Sequence, residues 1–214
     1  IYTACYTLSL HDALPIYCAM SRLLALCLAC CLSGPLFAQP ALKQLKAEES
    51  AGINPRYLLQ DPNGRSVTSE DFRGRFQLIA FGYTYCPDIC PTTLVEMAAV
   101  LKQLGERAAR LQAIFITVDP ERDSGPVLKT YTEFFDPRIL GLTGSPALVR
   151  RTADNFRVRY AKVRETGKDG ASYAVDHSAG LYLLGPDGQF IRKFAFATPV
   201  DEISARIDEI LGAY

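Results

Sequence analysis

The 214-residue chain carries 23 basic and 23 acidic side chains, so its formal net charge is zero. A neutral chain without a basic face does not favour nucleic-acid binding, and no nucleic-acid partner is expected. Apolar residues make up 49% and charged residues 21% of the sequence, a mixture typical of a globular domain that can bury a sizeable core.

Three segments precede the predicted domain. Residues 1–19 show no period and no helix cap, resemble translated sequencing-adaptor sequence, and are excluded from the fold prediction. Residues 20–38 combine a methionine, a basic residue and an apolar run, which predicts an export signal or a membrane anchor. Residues 39–55 are polar and predict a tether. The domain at 56–214 is therefore expected to be exported, either periplasmic or anchored to the outer face of the cytoplasmic membrane.

The apolar run in this leader is shorter than the about 20 residues that a spanning helix needs. Cysteines inside the run leave lipidation open beside cleavage and retention.

Periodicity from residue 56 onward predicts an α/β domain. The expected elements are a β-hairpin around the turn 61–64, buried strands at 76–83 and 111–118, helices at 91–104, 128–135 and 145–156, strands at 158–163, 179–184 and 189–196, and a last helix from 198. A βαβ unit that is followed by a terminal hairpin implies a mixed sheet with helices on both faces. This order predicts a thioredoxin-like fold, with residues 164–172 as an exposed loop.

Cysteine usage narrows the chemistry. Of the seven cysteines and two histidines, Cys86, Cys90 and His177 are those that follow residue 38. Two cysteines four positions apart in an oxidising compartment form a disulfide, bind a metal ion together, or alternate between the two states. Because Pro91 disfavours helical geometry in the residue before it, we expect the pair on an irregular turn ahead of the helix. A nearby helix N-terminus stabilises a thiolate.

Three interpretations of the cysteine pair remain open. An inert disulfide would close a very small loop and constrain the unfolded chain little. A thiol–disulfide exchange pair usually has two intervening residues, whereas three separate Cys86 and Cys90. A soft-metal site would hold Cu(I) or zinc, and structural zinc normally takes four protein ligands. Since His177 is the one further strong ligand, a three-ligand copper site fits better, and such a set accepts Cu(I) or Cu(II).

His177 lies just before the predicted strand 179–184, and we expect a long loop to carry it to the cysteine turn. Thioredoxins place a proline in the segment that faces their cysteines, and this segment has none. Asp176 is a candidate acceptor that would orient the imidazole, and its alternative is a solvated loop acid.

Five motifs occur in order along the domain: GYTYCPDICP at 82–91, TVDPERD at 117–123, GLTG at 141–144, VDHS at 175–178 and GPDG at 185–188. Over about residues 56–212 the chain resembles the Sco/SenC family. The resemblance implies copper binding by Cys86, Cys90 and His177, and a role in assembling the dinuclear copper centre of cytochrome c oxidase beside the membrane. Its implied partner is the copper-acceptor subunit of that oxidase, with other copper chaperones or thiol reductants beside it.

The TVDPERD motif contributes Asp119, Arg122 and Asp123 on a loop after a strand. For these we expect structural pairing and turn formation rather than a direct catalytic role.

Two functions from different classes follow. The first is a copper chaperone that passes the ion to a thiolate-rich acceptor. The second is a thiol–disulfide oxidoreductase that reduces the acceptor's cysteines, and it would use Cys86 and Cys90 but not His177. A copper-responsive sensor that binds a partner when loaded is a further, non-catalytic alternative.

Overall fold

The computed structural model describes residues 52–164 and 173–214. The adaptor-like stretch, the export segment, most of the tether and most of the polar loop at 164–172 lie outside these residues. Within the two described ranges, none of the helices has the length and apolar character needed to cross a bilayer.

Nine strands and four α-helices follow one another along the described residues. The strands are β1 (Leu58–Gln60), β2 (Ser66–Thr68), β3 (Phe76–Gly82), β4 (Leu111–Thr117), β5 (Ile139–Leu142), β6 (Tyr160–Arg164), β7 (Tyr173–His177), β8 (Leu181–Leu184) and β9 (Phe190–Phe194). The helices are α1 (Ile89–Gln103), α2 (Gly125–Phe135), α3 (Pro146–Asn155) and α4 (Val200–Ala213), with 3₁₀ turns at Ser69–Phe72 and Gly105–Arg110.

The central sheet has five strands in the order β5-β4-β3-β8-β9. Strands β3, β4 and β5 run parallel, whereas β8 and β9 pair antiparallel. All seven residues of β3 are buried, as expected for a central strand with helices on both faces. The mixed sheet confirms the predicted thioredoxin-like fold. The loop that carries the cysteines follows the carboxyl end of β3.

Two small antiparallel sheets complete the described part of the chain. The predicted N-terminal hairpin is confirmed as β1 and β2, and Asp61 stabilises its turn by accepting the backbone N–H groups of Asn63 and Arg65, each over 2.9 Å. Strands β6 and β7 form the second small sheet, in which Tyr160 pairs with His177.

Four sequence expectations need correction. Helix α1 begins at Ile89, so Cys90 and Pro91 lie in its first turn instead of ahead of it. The first-turn N–H groups have no intrahelical acceptor, so a proline there costs no hydrogen bond. Strands β5 and β7 were not predicted; both are short, and β5 contains a glycine. In the helix predicted at 128–135, the apolar pattern puts Phe134 on one face with Leu128, Tyr131 and Phe135, but Phe134 is 83% exposed.

Candidate metal centre

The cysteine loop joins the end of β3 to the start of α1. The chain turns after Tyr83, whose carbonyl accepts the Cys86 N–H over 3.2 Å. Asp88 occupies the N-cap position but makes no side-chain cap hydrogen bond. Instead, the backbone N–H of Cys90 donates to Cys86 Sγ over 3.4 Å. The sulfur of Cys86 therefore takes one of the amides that a helix N-terminus leaves without an intrahelical acceptor.

The pKa values of the two thiols are shifted in opposite directions. A hydrogen bond from the Cys90 side chain lowers the pKa of Cys86 to about 5, and backbone N–H groups of Asp88 and Cys90 act in the same direction. The same hydrogen bond, followed by burial, raises the pKa of Cys90. Cys86 is half-buried, whereas Cys90 is 2% exposed. At neutral pH the pair is thus a thiolate that accepts from a buried thiol.

Gly82 makes room for the buried sulfur. A methyl group on its Cα would lie 2.5 Å from Cys90 Sγ and 2.8 Å from the ring of Phe115. Real Cβ atoms do not approach this closely, so the backbone at this position has to be glycine for Cys90 to lie where it does.

His177 is the last residue of β7, and its imidazole faces Cys90. Its Nε2 lies 3.4 Å from Cys90 Sγ. Its Nδ1–H donates to the carbonyl oxygen of Val175 over 3.0 Å, so Nε2 is the ring nitrogen that faces the sulfur. The ring packs edge-on against Tyr83, with 5.6 Å between the ring centroids.

Two expectations about His177 therefore change. A strand carries the residue, not a long loop, because the residues before it pair with β6. The backbone carbonyl of Val175 orients the imidazole, and Asp176, the predicted acceptor, is exposed.

The structure brings the three predicted ligands into one neighbourhood without placing them around a common point. Cys90 contacts both Cys86 and His177. Among residues 52–164 and 173–214, no three His, Cys, Asp or Glu side chains already converge as a metal site. Cys86 and Cys90 are not joined by a disulfide in this structure. The donor set, two sulfurs and one imidazole nitrogen, is nevertheless the set that copper prefers.

The loop after β4 supports the cysteine loop. Asp123 is fully buried, and it accepts the backbone N–H and the hydroxyl of Thr84 over 3.1 and 2.6 Å and the hydroxyl of Thr117 over 2.6 Å. Arg122 pairs with the buried carboxylate of Asp119. The expected structural role of this motif is confirmed by these contacts, while the parts of Gly82 and Tyr83 in the site were not foreseen.

Comparison with known proteins identifies the family. A family model for SCO1/SenC proteins matches residues 45–212. The chain belongs to the SCO1/SenC family. The mitochondrial protein SCO2 homolog of Homo sapiens is 40% identical over 159 residues, which cover 73% of this chain and 59% of the human protein. The chain thus matches less than two thirds of that relative's length.

Solved structures of the family agree with the fold. The copper-bound structure of Bradyrhizobium japonicum ScoI is 39% identical, with a TM-score of 0.67, and the match covers 73% of this chain and 98% of that one. BsSco, a member of the Sco family of cytochrome c oxidase assembly proteins with an identified disulfide switch, is 28% identical, with a TM-score of 0.56 and coverages of 74% and 93%. These likenesses confirm the resemblance that the motifs indicated.

Proposed function

We propose that this protein binds one copper ion through Cys86, Cys90 and His177 and carries it to the copper-acceptor subunit of cytochrome c oxidase. The observation that supports the proposal most directly is the 3.4 Å approach of His177 Nε2 to Cys90 Sγ, which joins residues 87 positions apart in the sequence. The structure of the Bradyrhizobium japonicum relative contains bound copper, and two sulfurs with one imidazole nitrogen are donors that suit this metal.

The protonation states prepare the site for a cation. Cys86, with a pKa of about 5, is a thiolate at neutral pH and supplies the first sulfur ligand without losing a proton. Cys90 releases its proton when the ion binds, so binding becomes tighter as the pH rises. The imidazole enters as a neutral ligand through Nε2, because Nδ1 already holds its proton against the Val175 carbonyl.

Differences in exposure suit transfer of the ion. Cys90 is buried, whereas Cys86 and His177 are half-buried at the surface. An acceptor thiolate could therefore replace Cys86 first while Cys90 still holds the copper. Ligand exchange of this kind would move the ion without releasing it to water.

Copper titration tests the proposal in a full-length background chain whose five cysteines before residue 39, Cys5, Cys18, Cys27, Cys30 and Cys31, are serine. We expect about one equivalent of copper, as one set of three ligands requires. Cys86→Ala, Cys90→Ala and His177→Ala should each weaken binding, and His11→Ala, which changes the other histidine, should not. Unchanged binding in Cys90→Ala and His177→Ala would remove the proposal.

A second candidate function is reduction of the acceptor's cysteines. The lowered pKa of Cys86 favours it, because a thiolate with a pKa of about 5 beside a free thiol is the starting arrangement for thiol–disulfide exchange. In that reaction Cys86 would attack the acceptor's disulfide, and Cys90 would displace the mixed disulfide to leave an oxidised Cys86–Cys90 pair. A His177→Ala variant that fully supports oxidase assembly in cells would favour reduction over delivery.

We also propose that residues 20–38 direct the domain out of the cytoplasm. The basic residue and the apolar run of this segment support export. A fusion of alkaline phosphatase after residue 55 should be active, and the same fusion with Leu23→Arg and Leu26→Glu should not. An active phosphatase with the disrupted run would contradict export by this segment.

A further inference from the structure

Strand β7, which carries His177, does not belong to the central sheet. In the described ranges it pairs with β6 alone, in a separate two-stranded sheet. The cysteines, in contrast, follow directly from the buried strand β3. Apart from the three residues that join His177 to β8, the position of the imidazole relative to the sulfurs therefore depends on contacts that hold this small sheet against the cysteine loop.

Arg122 makes contacts on both sides of that junction. Toward β7, its Nη1 donates to the carbonyl oxygen of Tyr173 over 3.0 Å, and its guanidinium lies 3.8 Å from the centroid of the Tyr173 ring. Toward the cysteine loop, the same guanidinium lies 4.8 Å from the ring centroid of Tyr85 and 5.5 Å from that of Tyr83. Three aromatic rings from the two segments thus surround one cation.

A buried carboxylate fixes this cation. Asp119 is fully buried, and its Oδ2 accepts from Arg122 Nε, while its Oδ1 accepts the Tyr173 hydroxyl over 2.9 Å. The arginine and the tyrosine are therefore both held by one carboxylate on the loop after β4. A planar guanidinium can donate and stack at the same time, which an ammonium group cannot do.

The imidazole lies a short way along the same strand. Val175 is 3% exposed. Burial raises the pKa of the Tyr83 phenol, and a hydrogen bond with the backbone of Val175 lowers it. The Tyr83 ring also contacts His177 edge-on. Displacement of Tyr173 at the start of β7 would thus be passed along a five-residue strand to the ligand at its end.

We propose that Arg122 is a positioning residue that fixes β7, and with it the imidazole of His177, against the loop of Cys86 and Cys90. The part of this inference that concerns copper rests on the proposed copper function. Arg122 does not touch the ion; it sets where the nitrogen ligand stands. Without it, the sulfur of Cys86 keeps its place on the cysteine loop and that of Cys90 in the first turn of α1, and the imidazole loses its fixed distance to them.

The test compares Arg122→Gln with Arg138→Gln in the full-length background chain. Arg138 is a matched control because it too pairs with a nearby aspartate, Asp136, and donates to a backbone carbonyl, that of Leu101. In the copper-free protein, we expect the amides of Val175 and His177 to exchange hydrogen about tenfold faster in Arg122→Gln, with β3 and β4 unchanged. Equal exchange at Val175 and His177 in wild type and Arg122→Gln would overturn the inference.

A double-mutant comparison isolates the effect on the metal site. Arg122→Gln should weaken copper binding about tenfold when His177 is present, and should have no effect in a His177→Ala chain. The nitrogen coupling in the Cu(II) electron paramagnetic resonance spectrum should also weaken. Equal losses with and without His177 would overturn the positioning role, because they would mark a general structural effect.

A further variant covers the case in which Arg122→Gln does not fold. Tyr173→Phe keeps the ring beside Arg122 and removes only the hydroxyl that Asp119 accepts, and it should show faster exchange at the same two amides. If wild type binds copper and His177→Ala weakens it, the proposed function stands whatever Arg122 does. If wild type binds no copper, that function fails, and the exchange measurement alone decides the role of Arg122.

Discussion

The backbone amide of Cys90 donates a hydrogen bond to the sulfur of Cys86 over 3.4 Å, so one cysteine accepts from the first turn of the helix that contains the other. The helix dipole and its free N–H groups stabilise negative charge at this position. The spacing of the two cysteines therefore does more than place two sulfurs on one side of the chain. It puts the first of them where a thiolate is favoured and the second inside the core.

The first prediction concerns the acidity of Cys86. In the background chain, alkylation by iodoacetamide should rise with pH around a midpoint of about 5 and modify Cys86 rather than the buried Cys90. The sign follows because the reactive thiolate form is present above the pKa of Cys86. In Cys90→Ala the midpoint should move upward, since the largest contribution to the lowered pKa is then absent. A midpoint near that of an ordinary cysteine in the wild-type chain would contradict the arrangement.

The second prediction concerns the close approach at Gly82. Gly82→Ala should destabilise the protein by about 1–3 kcal/mol, because the added methyl group overlaps Cys90 Sγ and the Phe115 ring. It should also weaken copper binding, since the displaced sulfur is a proposed ligand. Gly212→Ala in α4 is the control, because nothing lies within 4 Å of the added atom. Thermal unfolding and copper titration check both effects, and a Gly82→Ala chain with wild-type stability and affinity would refute the steric argument.

The sequence predicted the parts of the site whose signals are local. The apolar run that became β3 and the spacing of Cys86 and Cys90 located the sulfurs at a strand-to-helix junction. The start of α1 was misplaced because the preference against a helical residue before Pro91 lost to the tolerance of the first helical turn for proline.

Long-range features of the site could not be predicted in the same way. The short strand β7 gives little periodic signal, and its pairing with β6 depends on a partner elsewhere in the chain. A backbone carbonyl orients His177, and every residue type has such a carbonyl, so the sequence cannot reveal it. The sequence instead indicated the carboxylate of the neighbouring Asp176 as the acceptor. Tyr173 became important only once the fold placed its ring on Arg122.

The third prediction concerns Asp123. Burial raises the pKa of this carboxyl even though Thr84 and Thr117 donate to it. Asp123→Ala would leave those buried donors without their acceptor and should cost about 3 kcal/mol of unfolding free energy. It should also loosen the loop that Thr84 begins, so copper affinity should fall.

The matched control for Asp123 is Asp208→Ala, which removes an exposed carboxylate that pairs with Arg107. An exposed pair contributes about 0.5 kcal/mol, so the two alanine variants should differ clearly in denaturant titrations. Equal and small effects would show that the hydrogen bonds of Asp123 do not support the cysteine loop.

The fourth prediction concerns the tautomer of His177. In the copper-free protein above about pH 8, where an ordinary imidazole is neutral, nitrogen chemical shifts should show a protonated Nδ1 and a bare Nε2. The reason is that a carbonyl oxygen, that of Val175, can only accept a hydrogen bond, so the proton must stay on the nitrogen that faces it. Copper needs the lone pair of Nε2. By keeping the proton on Nδ1, the backbone of β7 leaves that lone pair available to the metal. Asp176→Asn should leave this pattern unchanged, since the carbonyl and not the exposed carboxylate fixes the proton. A protonated Nε2 in wild type, or a tautomer change in Asp176→Asn, would contradict this account of how the imidazole is oriented.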